Sequence, residues 1–374
     1  MAPSRLITAL SAAVVMAAGC AHAASADDGK LLQKAKDIHK RIIAFDTHVD
    51  LPFDYEGAST DGKAQIDLPK VERGQLKGAA LAVFVPQGPR TPEGYAKARE
   101  DADKKYGLIK AIAEQNPDRA ALAYSPADVR RIAGQGKFAV VISMLNAYPL
   151  GSDVAQIDEW YKRGVRVFGY VHAGHNDWAD SSRPSKALGN GPQEHGGLSE
   201  AGKRGVARLN ELGMLIDVSQ LSTPAFEQVL SLTKAPVVAT HSGVKGIIDS
   251  PRNLSDDELA LLKKNGGVIQ IVAFSNYLRP PPKDPEDHSV APATVAQLVD
   301  AIAYAVKKIG IDHVGIASDF NHGGGVAGWE NEGEAQNVTA ELLRRGYSEG
   351  DIGKLWGGNF LRVWGEAQKA RTAR

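Results

Sequence analysis

The stretch RIIAFDTHVD at 41–50 decides the fold of this protein. It is a short, β-branched apolar run that ends in two polar side chains, those of His48 and Asp50. Residues two apart in a strand point to the same side, so this imidazole and this carboxylate are predicted to face one point at the end of a strand. Such a pair is typical of a first-row metal site, and a salt-linked His–Asp pair is the alternative.

Seven more apolar runs follow, separated by longer stretches with charged residues at helical spacing. They are GAALAVFV at 78–85, FAVVISMLN at 138–146, VRVFGYVH at 165–172, GMLIDVSQ at 213–220, APVVATHS at 235–242, GVIQIVAF at 267–274 and HVGIASDF at 313–320. Nearly continuous apolar runs are typical of parallel strands that are buried on both faces. Eight strands, each followed by a helix, predict an α/β fold of the (β/α)8 TIM type, with residues 24–374 as a single barrel catalytic domain.

The first 23 residues are predicted to be a secretory signal peptide. Arg5 precedes the apolar run LITALSAAVVMAAG, and small residues that end at Ala23 follow it. This order is typical of a cleaved signal, and the run is too short to cross a bilayer. We therefore expect a periplasmic or secreted protein. The one cysteine, Cys20, leaves a lipoprotein open as an alternative, and the protein would contact a membrane only if Cys20 were lipidated.

The charge balance excludes several classes of partner. The chain has 44 basic and 44 acidic residues, with no polybasic run. Nothing therefore points to nucleic acid or to an anionic membrane surface. Because the only cysteine lies in the predicted signal, the mature fold must be stabilised by its core and not by disulfides.

Polar residues also stand at the ends of the other predicted strands. They are Asn146, His172, Gln220, His241 and Asp319. In (β/α)8 enzymes the carboxyl ends of the strands form the active site, so these side chains are expected to meet. Asp319 is predicted to be a metal ligand or a general base, with a helix cap as the alternative. His172 is predicted to donate to a developing oxyanion, with a hydrogen-bonded core histidine as the alternative.

Arg252 follows the sixth run, in the segment SPRNLSDD. Its guanidinium suits a substrate carboxylate, which it can bind through two parallel N–H groups. The alternative is that it complements the acidic first turn of the next helix. Ser255 and Glu258 predict a capping box at the start of that helix.

With these residues in place, the chain resembles the membrane (renal) dipeptidase family of zinc metallopeptidases from about residue 41 to about residue 365. The motifs that carry the resemblance are FDTHVDLP, YVHAGHNDWADSS, HGGLSEAGKRGVARLNELGMLIDV, APVVATHSGV, SPRNLSDD, DHVGIASDF and LWGGNFLRV. The resemblance implies His48 and Asp50 as ligands of a first metal ion and His241 as a ligand of a second. It implies Asp319 as the catalytic carboxylate and also as a metal ligand. It further implies that His172 polarises the scissile carbonyl and that Arg252 binds the substrate's C-terminal carboxylate.

Two positions depart from the family's pattern. Asn146 stands where the family has a bridging glutamate, and Gln220 stands where it has a histidine ligand of the second metal. A neutral amide is a weaker ligand than either residue. We therefore expect a bacterial variant branch with one zinc ion and at most a weakly occupied second site. His175 and His322 are left open as substitute ligands.

The resulting prediction is a metal-dependent, dipeptidase-like hydrolase in which an activated water attacks a short peptide substrate. One alternative is another metal-dependent activity on the same barrel, such as hydrolysis of a different amide or ester, or an epimerisation. The other is a catalytically silent protein that binds a small molecule or peptide. The replaced ligands favour the silent protein, whereas the retained polar strand ends favour an enzyme. A homodimer is left open.

Overall fold

The structure is a computed structural model that describes residues 27–281 and 291–372. The predicted signal peptide and Cys20 lie outside the described residues. Across the part that is described, no helix combines the length and the apolar character that crossing a membrane requires.

Ten strands occur in the described residues. They are β1 (Phe45–Val49), β2 (Gly78–Phe84), β3 (Ala120–Leu122), β4 (Phe138–Leu145), β5 (Val165–Gly169), β6 (Leu215–Asp217), β7 (Val238–Val244), β8 (Asn253–Leu254), β9 (Val268–Val272) and β10 (Val314–Ala317). Eight of them follow one another in the order β1-β2-β4-β5-β6-β7-β9-β10, and every pair is parallel. The short strands β3 and β8 pair with β4 and β7 outside this path.

The barrel closes between β1 and β10. A parallel bridge joins Val49 to Phe320. The N–H of Asp50 donates to the Phe320 carbonyl and the N–H of Asp319 donates to the His48 carbonyl, both at 3.1 Å. Seven of the eight barrel strands fall within the apolar runs quoted above, and β7 overlaps its run and extends two residues beyond it, so the predicted (β/α)8 fold is confirmed.

Helices fill the connections between the strands. They are α1 (27–41), α2 (Leu68–Gly74), α3 (Pro92–Glu114), α4 (Pro126–Gly134), α5 (Gln156–Lys162), α6 (Glu200–Leu212), α7 (Thr223–Leu232), α8 (Asp256–Asn265), α9 (Ser275–Leu278), α10 (Val295–Ile309), α11 (Ala335–Arg344), α12 (Glu349–Gly353) and α13 (Asn359–Lys369). The predicted capping box at Ser255 and Glu258 is present at the start of α8.

Helix α13 covers the end of the barrel where the strands begin. Phe360 stacks on Phe45, with ring centroids 5.1 Å apart. Both belong to a buried apolar cluster that includes Trp364 and residues near the starts of the strands, such as Val238 and Val268. This cluster fills the amino end of the barrel with apolar side chains, so the polar groups are left to the carboxyl ends of the strands.

Asp46 connects β1 to the residues after β10 and forms a buried acidic pair with Glu332. Asp46 Oδ1 accepts hydrogen bonds from the backbone N–H groups of His48 (3.2 Å) and Ser318 (3.1 Å). Glu332 lies beside Asp46 and is fully buried. Burial, reinforced by the Asp46 carboxylate, raises the pKa of Glu332 well above its ordinary value. Since Asp46 already accepts two N–H groups, Glu332 is the member of the pair that holds a proton at neutral pH.

We predict that Glu332→Gln makes the free energy of unfolding less dependent on pH. Glu332 keeps its proton when folded but loses it in the unfolded chain above its ordinary pKa of 4.5. Stability therefore falls as pH rises above that value, by about 1.4 kcal/mol per pH unit for one proton, and the neutral amide removes this loss. Urea unfolding should show that the difference in free energy of unfolding between the variant and the wild type grows in favour of the variant from about pH 5 to about pH 8. The exposed Glu100→Gln is the control, and a gap that does not change with pH would contradict the prediction.

Candidate active site

Three buried side chains meet where β1, β7 and β10 end. Among the described residues, His48, His241 and Asp319 form the one group of His, Cys, Asp and Glu residues that could hold a metal ion, with ligand atoms all within 4.8 Å of one another. His48 Nε2 lies 3.8 Å from Asp319 Oδ1 and 3.7 Å from Asp50 Oδ2. Two ligands of one tetrahedral ion, each at about 2.1 Å from it, are about 3.4 Å apart. The spacing therefore suits a shared ion better than direct hydrogen bonds.

Several polar atoms at this point have no partner among the residues that the structure describes. His48 Nε2, both carboxylate oxygens of Asp50 and Asp319 Oδ1 are buried, and within the described residues none of them has a hydrogen-bond partner. Leaving a buried carboxylate without a partner is costly. A cation at this point would satisfy these atoms, so His48 and Asp319 of the group, together with Asp50 beside His48, fit a metal ion.

The charges of the site also favour a cation. Burial raises the pKa of Asp319 to about 7, and the Asp50 carboxylate adds to the effect. Burial by itself lowers the pKa of His48, but Asp50 and Asp319 outweigh it, so the pKa rises. Burial, followed by the His48 charge, lowers the pKa of His241 well below its ordinary value. A bound divalent ion reverses the first two effects, because it favours ionised carboxylates and neutral imidazoles.

Three of the strand-end residues share an unusual backbone conformation. Asn146 and Gln220 have φ of 71°, and Asp319 has φ of 59°. Residues other than glycine adopt this left-handed region rarely, at a cost of order 1–3 kcal/mol. The two amides therefore share the local backbone conformation of the acid.

Asn146 uses its amide to join neighbouring loops. Its Nδ2 donates to the Val85 carbonyl at 2.9 Å. Its Oδ1 accepts from Asn176 Nδ2 at 2.9 Å and from the N–H of Tyr148 at 3.4 Å. An amide oxygen has two lone pairs, and both are engaged here. Asn146 thus has no free oxygen for a metal ion.

Gln220 is engaged in the same way. Its Oε1 accepts from Arg183 Nη2 at 2.7 Å, and its Nε2 lies 3.0 Å from His241 Nε2. The side chain at the position where the resemblance implies a ligand of the second metal therefore contacts the Arg183 guanidinium and the His241 ring instead. The residues present fit one metal ion but do not fit a second.

Arg183 was missed by the sequence analysis. It lies in the long loop between β5 and α6, and its guanidinium approaches His172 Nε2 at 3.4 Å and the Tyr277 hydroxyl at 3.5 Å. The only available signal was a cation in a loop that follows a barrel strand, where functional residues are frequent. The supporting residues Asp46, Asp217 and Thr240 were missed as well.

His172 lies in an apolar and cationic environment. Burial, followed by the Arg183 charge, lowers its pKa to about 2, so the ring is neutral. Phe84 and His322 pack against it, with centroids 4.5 Å and 5.0 Å from the His172 ring. Because a guanidinium can only donate, Nε2 of His172 faces Arg183 as an acceptor.

The two substitute ligands left open by the sequence lie elsewhere in the loops. His175 Nδ1 accepts from the N–H of Ser181 at 3.0 Å, and its Nε2 lies 3.0 Å from the Gly191 carbonyl. Both nitrogens of His175 are therefore engaged in the loop. His322 lies beside Phe84 and His172, and it is not part of the ligand group of the described residues.

Arg252 is directed into the site and not along its neighbouring helix. It is 3% exposed, and its Nη2 donates to the His241 carbonyl at 2.7 Å. Its guanidinium lies over the Tyr277 ring, 5.4 Å from the centroid. Within the described residues its Nε and Nη1 are buried without a partner. Buried N–H groups of a guanidinium fit a carboxylate.

Comparisons with known proteins identify the family of this chain. The sequence profile of membrane dipeptidase (peptidase family M19) matches residues 32–374. The chain belongs to this family. Dipeptidase verJ of Clonostachys rogersoniana is 31% identical in an alignment of 356 residues that covers 89% of this chain and 86% of that protein. Dipeptidase aclJ of Aspergillus oryzae is 30% identical in an alignment of 309 residues that covers 81% of this chain and 70% of that protein.

Solved structures of the membrane dipeptidase family have the same architecture. The probable dipeptidase PvdM from Pseudomonas aeruginosa superposes with a TM-score of 0.88 at 46% identity, over 91% of this chain and 99% of that one. A metallopeptidase from Rhodobacter sphaeroides shares the fold, with a TM-score of 0.77 at 23% identity, over 87% of this chain and 99% of that one. The predictions of the family and of a metal-dependent, dipeptidase-like hydrolase are thereby confirmed.

We predict that Asp319→Asn weakens metal binding by a factor of about 100 or more, because the amide supplies no negative charge to the ion. Metal content after dialysis, together with titration of the chelator-treated protein, measures the effect. Asp312→Asn is the matched control, since Asp312 lies near the opposite end of β10 and pairs with Lys354 at the surface. Equal metal affinity in both variants would remove Asp319 from the ligand set.

Proposed function

We propose that this enzyme hydrolyses dipeptides with a single zinc ion held by His48, Asp50 and Asp319. One observation carries the proposal: at the barrel mouth, the ligand residues and Arg252 have buried polar atoms without a partner among the described residues, and these atoms are of two complementary kinds. The acceptors on the three ligand residues call for a cation, and the donors on Arg252 call for an anion. A short peptide with a free C-terminal carboxylate matches that pair of requirements.

Arg252 is assigned to the substrate's carboxylate. Its Nη2 contact with the His241 carbonyl ties the guanidinium to β7, and the His241 ring stacks on the His48 ring at 3.8 Å. The anion site and the metal ligands are therefore connected through one rigid strand end. Such a connection fixes how far the scissile bond can lie from the carboxylate, which selects for short substrates.

Asp319 is assigned to proton transfer. A bound zinc ion supplies Lewis acidity that makes water a nucleophile near neutral pH. Asp319 Oδ1 is buried and faces the ligand cluster, where it can take a proton from the attacking water and pass it to the leaving amine.

His172 is assigned to the carbonyl oxygen of the scissile bond. The ring is neutral, and its Nε2 faces Arg183 as an acceptor. Donation from Nε2 to a substrate oxygen requires the other neutral tautomer, in which the proton has moved from Nδ1 to Nε2. In that state Arg183 Nη2 loses its acceptor on His172 and is available to the substrate as well.

The decisive experiment pairs the metal content of the purified protein with a screen of dipeptides. We expect about one zinc ion per chain and dipeptide turnover, as for a site with one complete set of ligands. Two tightly held ions would contradict the single-ion proposal. Metal without peptidase activity would favour another metal-dependent reaction, and absence of both would favour a silent binding protein.

We predict that Arg252→Met raises KM for dipeptides by about 100-fold, because a buried charge-assisted pair is lost. The same variant should change the rate with dipeptide amides, which lack the carboxylate, by less than about threefold. Steady-state kinetics with both substrate types measure the difference. Equal losses with the acid and the amide would show that Arg252 does not bind the carboxylate.

The proposal includes export, with the mature enzyme periplasmic or secreted, or attached as a lipoprotein. It is supported by the order of charge, apolar run and small residues in residues 1–23. Mass spectrometry of the mature N-terminus should find Ala24 as the first residue. A lipid-modified Cys20 would establish the lipoprotein alternative, and an intact N-terminus in the cytoplasmic fraction would contradict export.

A further inference from the structure

We propose that the Arg183 guanidinium takes the place of a second metal ion and supplies the fixed positive charge on that side of the active site. This inference rests on the proposed function for its catalytic part, but its structural part does not. Arg183 Nη2 donates to Gln220 Oε1 at 2.7 Å and lies 3.4 Å from His172 Nε2. The cation thus contacts the position where a second-metal ligand was expected.

The guanidinium fixes the donor and the acceptor in each hydrogen bond of the chain that runs from Arg183 through Gln220 to His241. A guanidinium only donates, so the Gln220 oxygen must face Arg183 and the Gln220 N–H group must face His241 Nε2, at 3.0 Å. His241 Nδ1 lies 2.8 Å from Thr240 Oγ1, whose hydroxyl donates to Asp217 Oδ2 at 2.6 Å. His241 therefore carries its proton on Nδ1, and its Nε2 lone pair is covered by the Gln220 amide.

This chain of bonds competes directly with a metal ion. An ion between positions 220 and 241 needs the lone pair of His241 Nε2, and it would stand against a cation that cannot lose its charge. Gln220 is the residue that links the two, since its oxygen binds the guanidinium and its nitrogen binds the imidazole. The glutamine is therefore matched to Arg183 and is not a vacant ligand position.

The guanidinium also has donors left over. Within the described residues, Arg183 Nε is buried without a hydrogen-bond partner. Arg183 Nη1 makes only a long contact of 3.5 Å with the Tyr277 hydroxyl. Fixed N–H donors aimed at a carbonyl oxygen stabilise the negative charge that develops there. Arg183 is thus placed to act on the substrate oxygen from the side of His172.

The first test measures metal binding and needs no turnover. Gln220→His is compared with Gln220→His combined with Arg183→Met, by cobalt titration of chelator-treated protein with visible absorption as the readout. We expect binding of a second ion to be at least about tenfold tighter when Arg183 is removed, because a new imidazole pair forms without a competing cation. Equal second-ion affinity in the two proteins would overturn the proposal.

The second test asks whether the charge acts in catalysis. Arg183→Ala should lower kcat by a factor of about 100 to about 1,000 with unchanged content of the first metal, as for loss of one oxyanion donor. Added guanidinium ion should restore part of the rate in a saturable manner. Arg90→Ala is the matched control, because Arg90 pairs with Glu194 at the surface and lies outside the site.

The outcomes separate the two proposals. A loss of rate in Arg183→Ala without recovery on addition of guanidinium would overturn the catalytic part of the inference. Absence of dipeptide turnover in the wild-type enzyme would contradict the proposed function, while the cobalt titration would still decide whether Arg183 excludes a second ion.

Discussion

The hydrogen bonds that close the barrel between β1 and β10 position the proposed metal ligands. Asp46 Oδ1 binds the N–H groups of His48 and Ser318, and the His48 carbonyl accepts from the N–H of Asp319. Each bond involves the backbone next to a ligand, so the imidazole and the carboxylates are positioned by the same contacts that seal the barrel. Ligands held in this way lose little freedom when a metal ion binds.

The opposite side of the site repeats this arrangement with a second carboxylate. Asp217 Oδ1 accepts from the N–H groups of Ser219 and Thr240, at 2.9 Å and 3.0 Å. In both cases the carboxylate accepts hydrogen bonds from the N–H group two residues later in the sequence and from one N–H group in or directly after another strand. The two carboxylates thus provide hydrogen-bond acceptors for backbone N–H groups that are buried at the mouth of the barrel. Through Thr240, Asp217 also orients His241.

Two arginine side chains also bring positive charge to the barrel mouth. Arg252 and Arg183 reach the site from the loops after β7 and β5, and both have buried N–H groups without partners among the described residues. A divalent ion with one bridging glutamate has a net charge of +1. A guanidinium such as that of Arg183, with the neutral amides of Asn146 and Gln220, has the same net charge. The replacement of a glutamate and a histidine by Asn146 and Gln220 is therefore compatible with a site that keeps its positive charge on a side chain.

The sequence by itself determined the barrel and half of its site. Short continuous apolar runs that alternate with helical stretches are typical of strands buried on both faces, and the period of two placed His48 and Asp50 on one side. Asp319 followed from the cost of an acid after an apolar strand. Only the tertiary structure could pair Arg183 with Gln220, close Asn146 onto Val85 and Asn176, and bury Glu332 against Asp46. These partners lie in separate loops and strands, and no local periodicity of the sequence encodes the distance between them. Tertiary packing therefore decided whether the side chains of Asn146 and Gln220 were free or already hydrogen-bonded.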